Sequence, residues 1–366
     1  MRDVNAVPIE AVIVSAYRVP TATPESDGTL AWDSTTLVWV EIQAAGLCGG
    51  GFSYADKATA KLVHERFVKL LVGCDALAIA ARWHDMRVNV RNLGAAGVSA
   101  MAISAVDNAL WDWKSKFMGV PVVTLLGAAH ESIRIYGSGG FTSYTDQQLR
   151  DQLSGWAGEG IRAVKMKVGR EPERDLARVA VARRAIGNDV ALFVDANGAY
   201  TRKQALLLAQ GFAESNVSWF EEPVSSDDLE GLRLLRDRAP AGMNISAGEY
   251  GYTPGYFRRM LEAQAVDVLQ ADATRCYGLT GFLGAAALCE AFHVPLSSHC
   301  APALHVAATC AAGPAINLEY FFDHVRIEQM LFDGACVPSD GVLATDLSRL
   351  GLGIELKKED AECYRI

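Results

Sequence analysis

The sequence predicts an α/β fold in which a barrel of parallel strands follows a smaller α+β domain. From Ile133 onward, apolar runs typical of strands alternate with helical segments, and this alternation is typical of a parallel sheet. These strand-like runs end in ionisable residues at nearly regular intervals. The chain has 366 residues, which is enough for a barrel of about 250 residues and a second domain of about 100.

The N-terminal third carries the α+β pattern. Residues 6–18 and 35–43 alternate as two antiparallel strands, and residues 20–33 between them are expected to form a long loop with a functional role. The glycines at 49–51 predict either a mobile flap or a strained turn. Three helices are expected next, over residues 55–74, 77–91 and 98–117. The third has an apolar face at helical spacing, so it is expected to pack against a large neighbour.

Seven successive predicted strands of the barrel end in an ionisable residue. These residues are Lys167, Asp195, Glu221, Glu249, Asp272, His299 and Glu319. The intervals between them are 28, 26, 28, 23, 27 and 20 residues, close to the roughly 30 residues that each unit of a (β/α)8 barrel requires. Because catalytic groups in such barrels sit at the C-terminal strand ends, the series predicts one shared site.

Helices are expected between these strands, over residues 147–158, 172–186, 202–214, 229–238, 255–262, 279–292 and 303–312. After Glu319 the pattern breaks, and residues 321–366 are expected to be irregular, with short strands that return to the first domain. The predicted division is an N-terminal α+β domain at 1–128, a barrel at 129–325 and a C-terminal segment at 326–366.

Two lysines of the run R-A-V-K-M-K-V-G are central to the predicted chemistry. Lys165 and Lys167 are two residues apart on a strand, so their side chains point to the same face. Adjacent like charges disfavour each other's protonated form, which can bring the pKa of a lysine towards neutrality and supply a base. The alternative is a solvated strand edge protected by lysines.

Three successive strand ends carry carboxylates that suit a metal ion. Asp195, Glu221 and Glu249 offer only oxygen ligands, which favours Mg²⁺, with Mn²⁺ as the second choice, over zinc. The alternative is that these groups pair with lysines or cap helices. Glu222, Asn197 and Glu319 are further candidates, as hydrogen-bonding partners around the site or as ligands.

Composition excludes several partners. The net charge of −9 and pI near 5.3 argue against nucleic acid, although a local cation still permits an anionic substrate. Eight scattered cysteines without a C-x-x-C pair are typical of reduced thiols in a cytoplasmic protein. No apolar run predicts a signal peptide or a membrane span, so we expect no membrane partner.

Together these residues resemble the enolase superfamily and, within it, the mandelate racemase group. The matching motifs are K-M-K at 165–167, V-D-A-N-G at 194–198, W-F-E-E-P at 219–223, A-G-E at 247–249, Q-A-D at 270–272, G-L-T-G at 278–281, S-S-H at 297–299 and L-E-Y at 318–320. Residues 104–127 also resemble the family's junction between cap and barrel. The similarity runs from about residue 8 to the end of the chain.

The resemblance implies a (β/α)7β modified TIM barrel whose mouth is covered by the N-terminal α+β capping domain. It implies that Mg²⁺ binds to Asp195, Glu221 and Glu249 and stabilises the ene-diolate formed when a proton alpha to a carboxylate is removed. It also implies a small-molecule carboxylate substrate and a homo-oligomer.

The resemblance assigns the acid–base residues as well. Lys167 would be the base on one side of the substrate, with Lys165 holding the carboxylate and lowering the pKa of its neighbour. From the other side, His299 would act as acid or base, oriented by Asp272. The other residues expected to contact the substrate, besides Lys165, are Glu319, Asn197 and Tyr54. Glu319, if protonated, would donate a hydrogen bond to the substrate carboxylate.

Two opposed bases permit two outcomes. The resemblance favours a lyase that dehydrates an acid sugar, an aldonate or aldarate, to a 2-keto-3-deoxy acid. A racemase or epimerase acting through the same ene-diolate is the alternative. A cycloisomerase is disfavoured because such enzymes generally place a lysine where His299 stands, and an inactive binding relative is disfavoured because every catalytic position is filled.

Substrate specificity is expected from residues 20–33 and 49–56 of the cap. The first segment has acidic residues and no basic one, which favours a polyhydroxy monoacid, although Arg18, Lys57 or Arg275 could hold a second carboxylate. The chain departs from the family at Ala271, where proline is common, and at Cys276-Tyr277, where glycines are frequent. Cys300 and His305 are expected to be packing residues, with substrate contact as the alternative.

Overall fold

The computed structural model describes residues 6–366. Its N-terminal part is an antiparallel sheet of three strands in the order β1 (Ala11–Ser26), β2 (Ala31–Ala44) and β3 (Leu47–Tyr54). The helices of this part are α1 (Lys57–Leu62), a π-helical turn (Val63–Phe67), α2 (Val68–Leu71), α3 (Ile79–Asn89), α4 (Val98–Met118) and α5 (Val122–Leu126). Helix α4 packs on β2 and β3, as its apolar face predicted.

The prediction of a long loop at residues 20–33 is wrong. Strands β1 and β2 continue into this region as a hairpin, with a register shift between Pro20 and Glu25 that accommodates the proline. Asp27 closes the turn, because its Oδ1 atom accepts hydrogen bonds from the backbone N–H groups of Thr29 and Leu30 at 2.6 and 2.7 Å. The hydroxyl of Thr142, beside the barrel mouth, donates to the carbonyl of Asp27 at 2.8 Å, so the hairpin tip is docked on the barrel.

The glycines at 49–51 form neither a flap nor a turn. They lie within strand β3 and pair with strand β2. Helix α4 approaches them so closely that a Cβ atom on Gly49 would lie 2.3 Å from Cβ of Trp113, and one on Gly51 would lie 2.2 Å from the backbone N of Ala109. The glycines are therefore needed for close packing of a helix against a strand.

Eight parallel strands form the barrel, and they follow one another around it in sequence order, with the last pairing with the first. The strands are β4 (Ile133–Gly139), β5 (Ala163–Lys167), β6 (Ala191–Asp195), β7 (Val217–Glu221), β8 (Asn244–Ala247), β9 (Val268–Ala271), β10 (Leu296–Ser298) and β11 (Ala315–Phe321). Seven helices connect them, α6 (Asp146–Gly158), α7 (Pro172–Ile186), α8 (Arg202–Glu214), α9 (Leu229–Arg238), α10 (Pro254–Glu262), α11 (Gly278–Phe292) and α12 (Pro302–Cys310). The predicted (β/α)7β barrel with an N-terminal cap is confirmed.

The C-terminal part holds α13 (Phe322–Leu331), β12 (Phe332–Asp333), β13 (Val342–Leu343), β14 (Glu355–Leu356) and α14 (Lys358–Glu362). The end of the chain returns to the cap, since the backbone N–H of Ile366 donates to the carbonyl of Ala16 on β1 at 3.0 Å. The predicted boundaries at residues 128 and 325 stay predictions. Within residues 6–366, no helix combines the length and the apolar character that a bilayer crossing requires.

Candidate active site

The ionisable strand ends meet at one mouth of the barrel, beneath the cap. Parallel pairing sets Lys167 of β5 opposite Asp195 of β6, and Asp195 opposite Glu221 of β7. Side chains at matched register positions on neighbouring strands point the same way, so these three lie side by side. All seven predicted strand-end residues are buried, which places their charges where water screens them poorly.

Asp195, Glu221 and Glu249 form what we call the carboxylate cluster. Each offers an oxygen, and the three oxygens lie within 4.8 Å of one another. One oxygen of Glu221 is held by the indole N–H of Trp219 at 3.0 Å. Three buried carboxylates in such proximity repel one another unless cations neutralise them. Their number, oxygen chemistry and convergence fit a hard divalent cation such as Mg²⁺.

The two lysines contact this cluster and neutralise part of its negative charge. Nζ of Lys167 lies 2.5 Å from Oδ2 of Asp195, and Nζ of Lys165 contacts Glu221 and lies 3.7 Å from the same Asp195 oxygen. The predicted lowering of a lysine pKa does not hold while these carboxylates alone face the lysines. Burial favours the neutral amine, but Asp195 raises the pKa of Lys167 above its ordinary value, and Glu221 does the same for Lys165.

Glu319 joins the lysine side of the site to the histidine side. Its Oε1 atom lies 2.7 Å from Nζ of Lys165, and its Oε2 atom accepts the backbone N–H of Cys300 at 2.9 Å. Burial favours the neutral acid, but Lys165 and His299 hold the pKa of Glu319 below its ordinary value. The structure therefore favours an ionised Glu319 beside a protonated Lys165, and not the protonated Glu319 considered from the sequence.

His299 and Asp272 form the predicted pair. Nδ1 of His299 lies 2.8 Å from Oδ2 of Asp272, and Asp272 is fixed by the backbone N–H of Thr274, which donates to its other oxygen at 2.7 Å. With the Nδ1 proton directed at the carboxylate, Nε2 is left to exchange a proton. Burial opposes a charged ring, but Cys300, Glu249 and Glu319 raise the pKa of His299 well above its ordinary value.

His305 supports this pair through hydrogen bonds to the backbone next to each of its members; we call these two bonds the His305 brace. Its Nε2 atom accepts the backbone N–H of Ala273 at 2.7 Å, and its Nδ1 atom donates to the carbonyl of Cys300 at 2.8 Å. Ala273 follows Asp272 and Cys300 follows His299, so one fully buried ring ties the two strand ends together. The expectation of a packing role for His305 misses this pair of hydrogen bonds.

Of the two remaining predicted contacts, Asn197 touches the carboxylate cluster, whereas Tyr54 packs on helix α13. The backbone N–H of Asn197 donates to Oδ1 of Asp195 at 2.9 Å, and its side-chain oxygen is buried without a hydrogen-bond partner among residues 6–366. Tyr54 stacks on the ring of His324 with centroids 3.4 Å apart, and its hydroxyl lies 3.4 Å from Oε1 of Glu328. Tyr54 thus places the cap sheet against helix α13, next to the segment that follows His299.

Sequence reasoning missed one participant, Trp219, and did not predict the contacts of two others, Arg275 and Cys300. Trp219 lies two residues before Glu221 on the same strand, so period-two alternation could have paired them. Arg275 lies 3.4 Å from Oε1 of Glu249 and 3.6 Å from Oδ2 of Asp272, so it supports these carboxylates. Cys300 places its sulfur 3.3 Å from Nε2 of His299, and adjacency alone gave no sign of that contact.

Two family models match the chain. Residues 9–127 match the mandelate racemase / muconate lactonizing enzyme N-terminal domain, and residues 148–361 match the enolase C-terminal domain-like family. Among characterised relatives, the 3,6-anhydro-alpha-L-galactonate cycloisomerase of Streptomyces coelicolor is 32% identical over 94% of this chain and 98% of its own. The L-talarate/galactarate dehydratase of Salmonella typhimurium is 30% identical, over 96% and 89% respectively.

Solved structures agree with these matches. A mandelate racemase/muconate lactonizing enzyme-like protein from Rubrobacter xylanophilus superposes with a TM-score of 0.96 at 51% identity, covering 98% of this chain and 100% of that one. The Salmonella dehydratase, crystallised with magnesium and L-lyxarohydroxamate, superposes with a TM-score of 0.91 at 27% identity, covering 100% of this chain and 95% of that one. The chain is therefore an enzyme of the enolase superfamily and belongs to its mandelate racemase / muconate lactonizing enzyme group.

Proposed function

We propose that this enzyme removes the proton alpha to the carboxylate of an acid sugar and eliminates water, giving a 2-keto-3-deoxy acid. The observation that carries the proposal is the His299–Asp272 pair at 2.8 Å, which shares one buried mouth with two lysines and three clustered carboxylates. This arrangement supplies a base on one strand, a proton donor on another and a cation site beside them.

The carboxylate cluster would hold Mg²⁺, as its oxygen donors and their spacing favour. When bound, the cation supplies positive charge that stabilises the negative charge left on the substrate carboxylate by deprotonation. Asp195 and Glu221 would then be shared with the cation and would stabilise the protonated lysines less, while Lys165 would keep its contact with Glu319. The mutual repulsion of the two lysines then favours a neutral Lys167, which is the form that a base requires.

The steps assigned to this chain's residues balance without an oxidant or reductant. Lys167 Nζ takes the proton from C2, while Lys165, held in place by Glu319, fixes the substrate carboxylate. His299 Nε2 gives its proton to the departing hydroxyl at C3, and Asp272 stabilises the ring through Nδ1. The C3–O bond breaks with loss of water, and the enol product gains a proton at C3 to become the keto acid.

A relative named as a dehydratase of talarate and galactarate supports this proposal. The relative named as a cycloisomerase supports a second candidate, ring opening of a cyclic sugar acid through the same C2 deprotonation, even though His299 stands where a lysine is expected for such an enzyme. A racemase or epimerase would use the same two groups on the same carbon. The product separates the three: a keto acid with loss of water, an isomer of unchanged mass with an opened ring, or an inverted C2 centre.

The test is a screen of aldonates and aldarates with Mg²⁺ present, read by keto-acid formation. We expect at least one acid sugar to yield a 2-keto-3-deoxy acid. If no acid sugar reacts while a 2-substituted acid loses its optical activity, the racemase assignment replaces the dehydratase.

A further inference from the structure

We propose that His299, Cys300 and Glu319 form a second metal site that takes a thiophilic divalent ion of the Zn²⁺ class, and that occupation of this site inhibits the enzyme. The three side chains are buried, and their donor atoms lie within 4.8 Å of one another. A nitrogen, a sulfur and an oxygen form a donor set that zinc prefers and magnesium does not. We call these residues the thiol cluster.

The spacing of the donor atoms fits a tetrahedral ion. Zinc bonds of about 2.0–2.3 Å at tetrahedral angles place ligand atoms about 3.3–3.6 Å apart. Nε2 of His299 lies 3.3 Å from Sγ of Cys300 and 3.7 Å from Oε2 of Glu319. Small side-chain rotations are therefore enough to enclose an ion between the three atoms.

The surroundings of His299 also match those of a metal-binding histidine. Such a histidine usually donates its other ring N–H to a carboxylate, which fixes the tautomer and raises the basicity of the ligating nitrogen. His299 directs Nδ1 at Asp272, and the brace from His305 holds the two strand ends in place. Once Nε2 has lost its proton, its lone pair is therefore available 3.3 Å from Sγ of Cys300.

The backbone keeps the thiol at this position. Cys300 and Ala301 have φ angles of +53° and +43°, an uncommon conformation for residues other than glycine. Glu319 accepts the N–H of Cys300, and Nδ1 of His324 accepts the N–H of Ala301 at 3.3 Å. These two hydrogen bonds hold the backbone of a residue whose sulfur lies 3.3 Å from Nε2 of His299.

Binding would remove one proton from the thiol and, because the pKa of His299 is raised, one proton from Nε2, and it would involve no change of redox state. The sulfur and Nε2 would each give a lone pair to the ion. Nε2 could then no longer carry the proton that the proposed reaction delivers to the leaving hydroxyl. The inhibitory part of this inference rests on the proposed function, whereas the metal site rests on the geometry alone.

The test uses the full-length enzyme with saturating Mg²⁺ and two added ions, Co²⁺ for spectroscopy and Zn²⁺ for inhibition. Wild-type is compared with Cys300→Ala, Cys300→Ser and, as a matched control, Cys289→Ala, which removes a buried thiol from helix α11. We expect wild-type and the control to show a thiolate-to-Co²⁺ charge-transfer band that both Cys300 variants lack. The zinc concentration for half-inhibition, relative to each variant's own zinc-free rate, should rise about 100-fold in the Cys300 variants.

Each result decides one part. A band that is absent from wild-type, or that persists in the Cys300 variants, would overturn the site. Equal zinc sensitivity in all variants would place the inhibition at the carboxylate cluster and overturn the inhibitory role. A Cys300-dependent band in a protein that dehydrates no acid sugar would uphold the site while the proposed function fails.

Discussion

Nε2 of His299 lies 3.2 Å from Oε2 of Glu249, so the candidate acid touches a member of the carboxylate cluster directly. Burial raises the pKa of Glu249, but His299 outweighs it and holds that pKa well below the ordinary value. The proton-transfer site and the cation site are therefore adjacent parts of one charge network. A change in the charge of the cluster should therefore change the pKa of His299.

Replacement of Glu221 by Gln should cost Mg²⁺ binding. The change removes one negative ligand and leaves Lys165 with one carboxylate fewer, so we expect Mg²⁺ affinity to fall by at least about 100-fold and keto-acid formation to fall with it. Equilibrium dialysis or calorimetry measures the affinity. Asp237→Asn, at a half-exposed carboxylate on helix α9, is the control and should bind Mg²⁺ like wild-type. Unchanged affinity in Glu221→Gln would contradict the cluster as the Mg²⁺ site.

Replacement of His305 by Leu should damage catalysis more than substrate binding. The variant leaves the N–H of Ala273 and the carbonyl of Cys300 without their partner, at a cost of about 1–3 kcal/mol in stability. Loss of the brace should lower kcat by about 10-fold to 100-fold, with little change in KM, and should move the pH dependence of kcat that His299 sets. His305→Gln, which can restore one hydrogen bond, should recover part of kcat. A variant with wild-type kcat and pH profile would show that His305 only fills space.

Replacement of Gly51 by Ala should destabilise the cap. A Cβ atom there would meet the backbone of helix α4 at 2.2 Å, and backbone cannot move aside cheaply. We expect a loss of about 3 kcal/mol in the free energy of unfolding, read by thermal or denaturant unfolding. The matched control is Gly155→Ala on helix α6, where a Cβ atom would meet nothing within 4 Å. This substitution should raise the free energy of unfolding by about 0.5–1 kcal/mol. Equal effects at the two glycines would disprove the close-packing explanation.

Glu25 should make stability depend on pH. Burial, with a contribution from Asp323, raises the pKa of this hairpin carboxyl from 4.5 to about 8. The folded protein then binds a proton that the unfolded chain releases, so this group favours folding below pH 4.5, and the benefit is lost as the pH rises towards 8. Glu25→Gln keeps an acceptor for the indole of Trp32, 2.9 Å away, without the charge.

We therefore expect Glu25→Gln to match wild-type at pH values near 4.5 and to exceed its free energy of unfolding at pH 9 by on the order of 3 kcal/mol. Urea unfolding at the two pH values measures this. Asp33→Asn, at an exposed carboxylate of the same hairpin, should show no such pH-dependent gain in the free energy of unfolding. A difference between Glu25→Gln and wild-type that is independent of pH would refute the assignment.

The barrel could be predicted from the sequence because a parallel barrel imposes a spacing. Each strand-and-helix unit consumes a similar number of residues, so the series from Lys167 to Glu319 fixed both the fold class and the set of residues at the mouth. Period-two alternation likewise placed the lysines on one face. These are local regularities, and a single chain displays them.

The cap could be predicted less well because its details depend on contacts across the chain. The glycines at 49–51 suggested flexibility, yet they lie in a strand, where the close approach of helix α4 (Val98–Met118) leaves no room for a side chain. The segment 20–33 suggested a loop, yet a register shift and the Asp27 turn carry the sheet through it. The raised pKa of Lys167 could not be predicted from the sequence, because the effect of Asp195 outweighs that of Lys165 only once the strands pair.

The most direct test of the central claim follows the C2 hydrogen of a reactive acid sugar in D2O with the His299→Asn variant. Without its acid this variant should not expel the hydroxyl, but Lys167 should still remove the C2 proton and return a deuteron, so recovered substrate gains deuterium at C2. We predict that this exchange requires Mg²⁺ and disappears when Lys167→Ala is added. Exchange that persists without Mg²⁺ or without Lys167, or that never occurs in His299→Asn, would contradict the account.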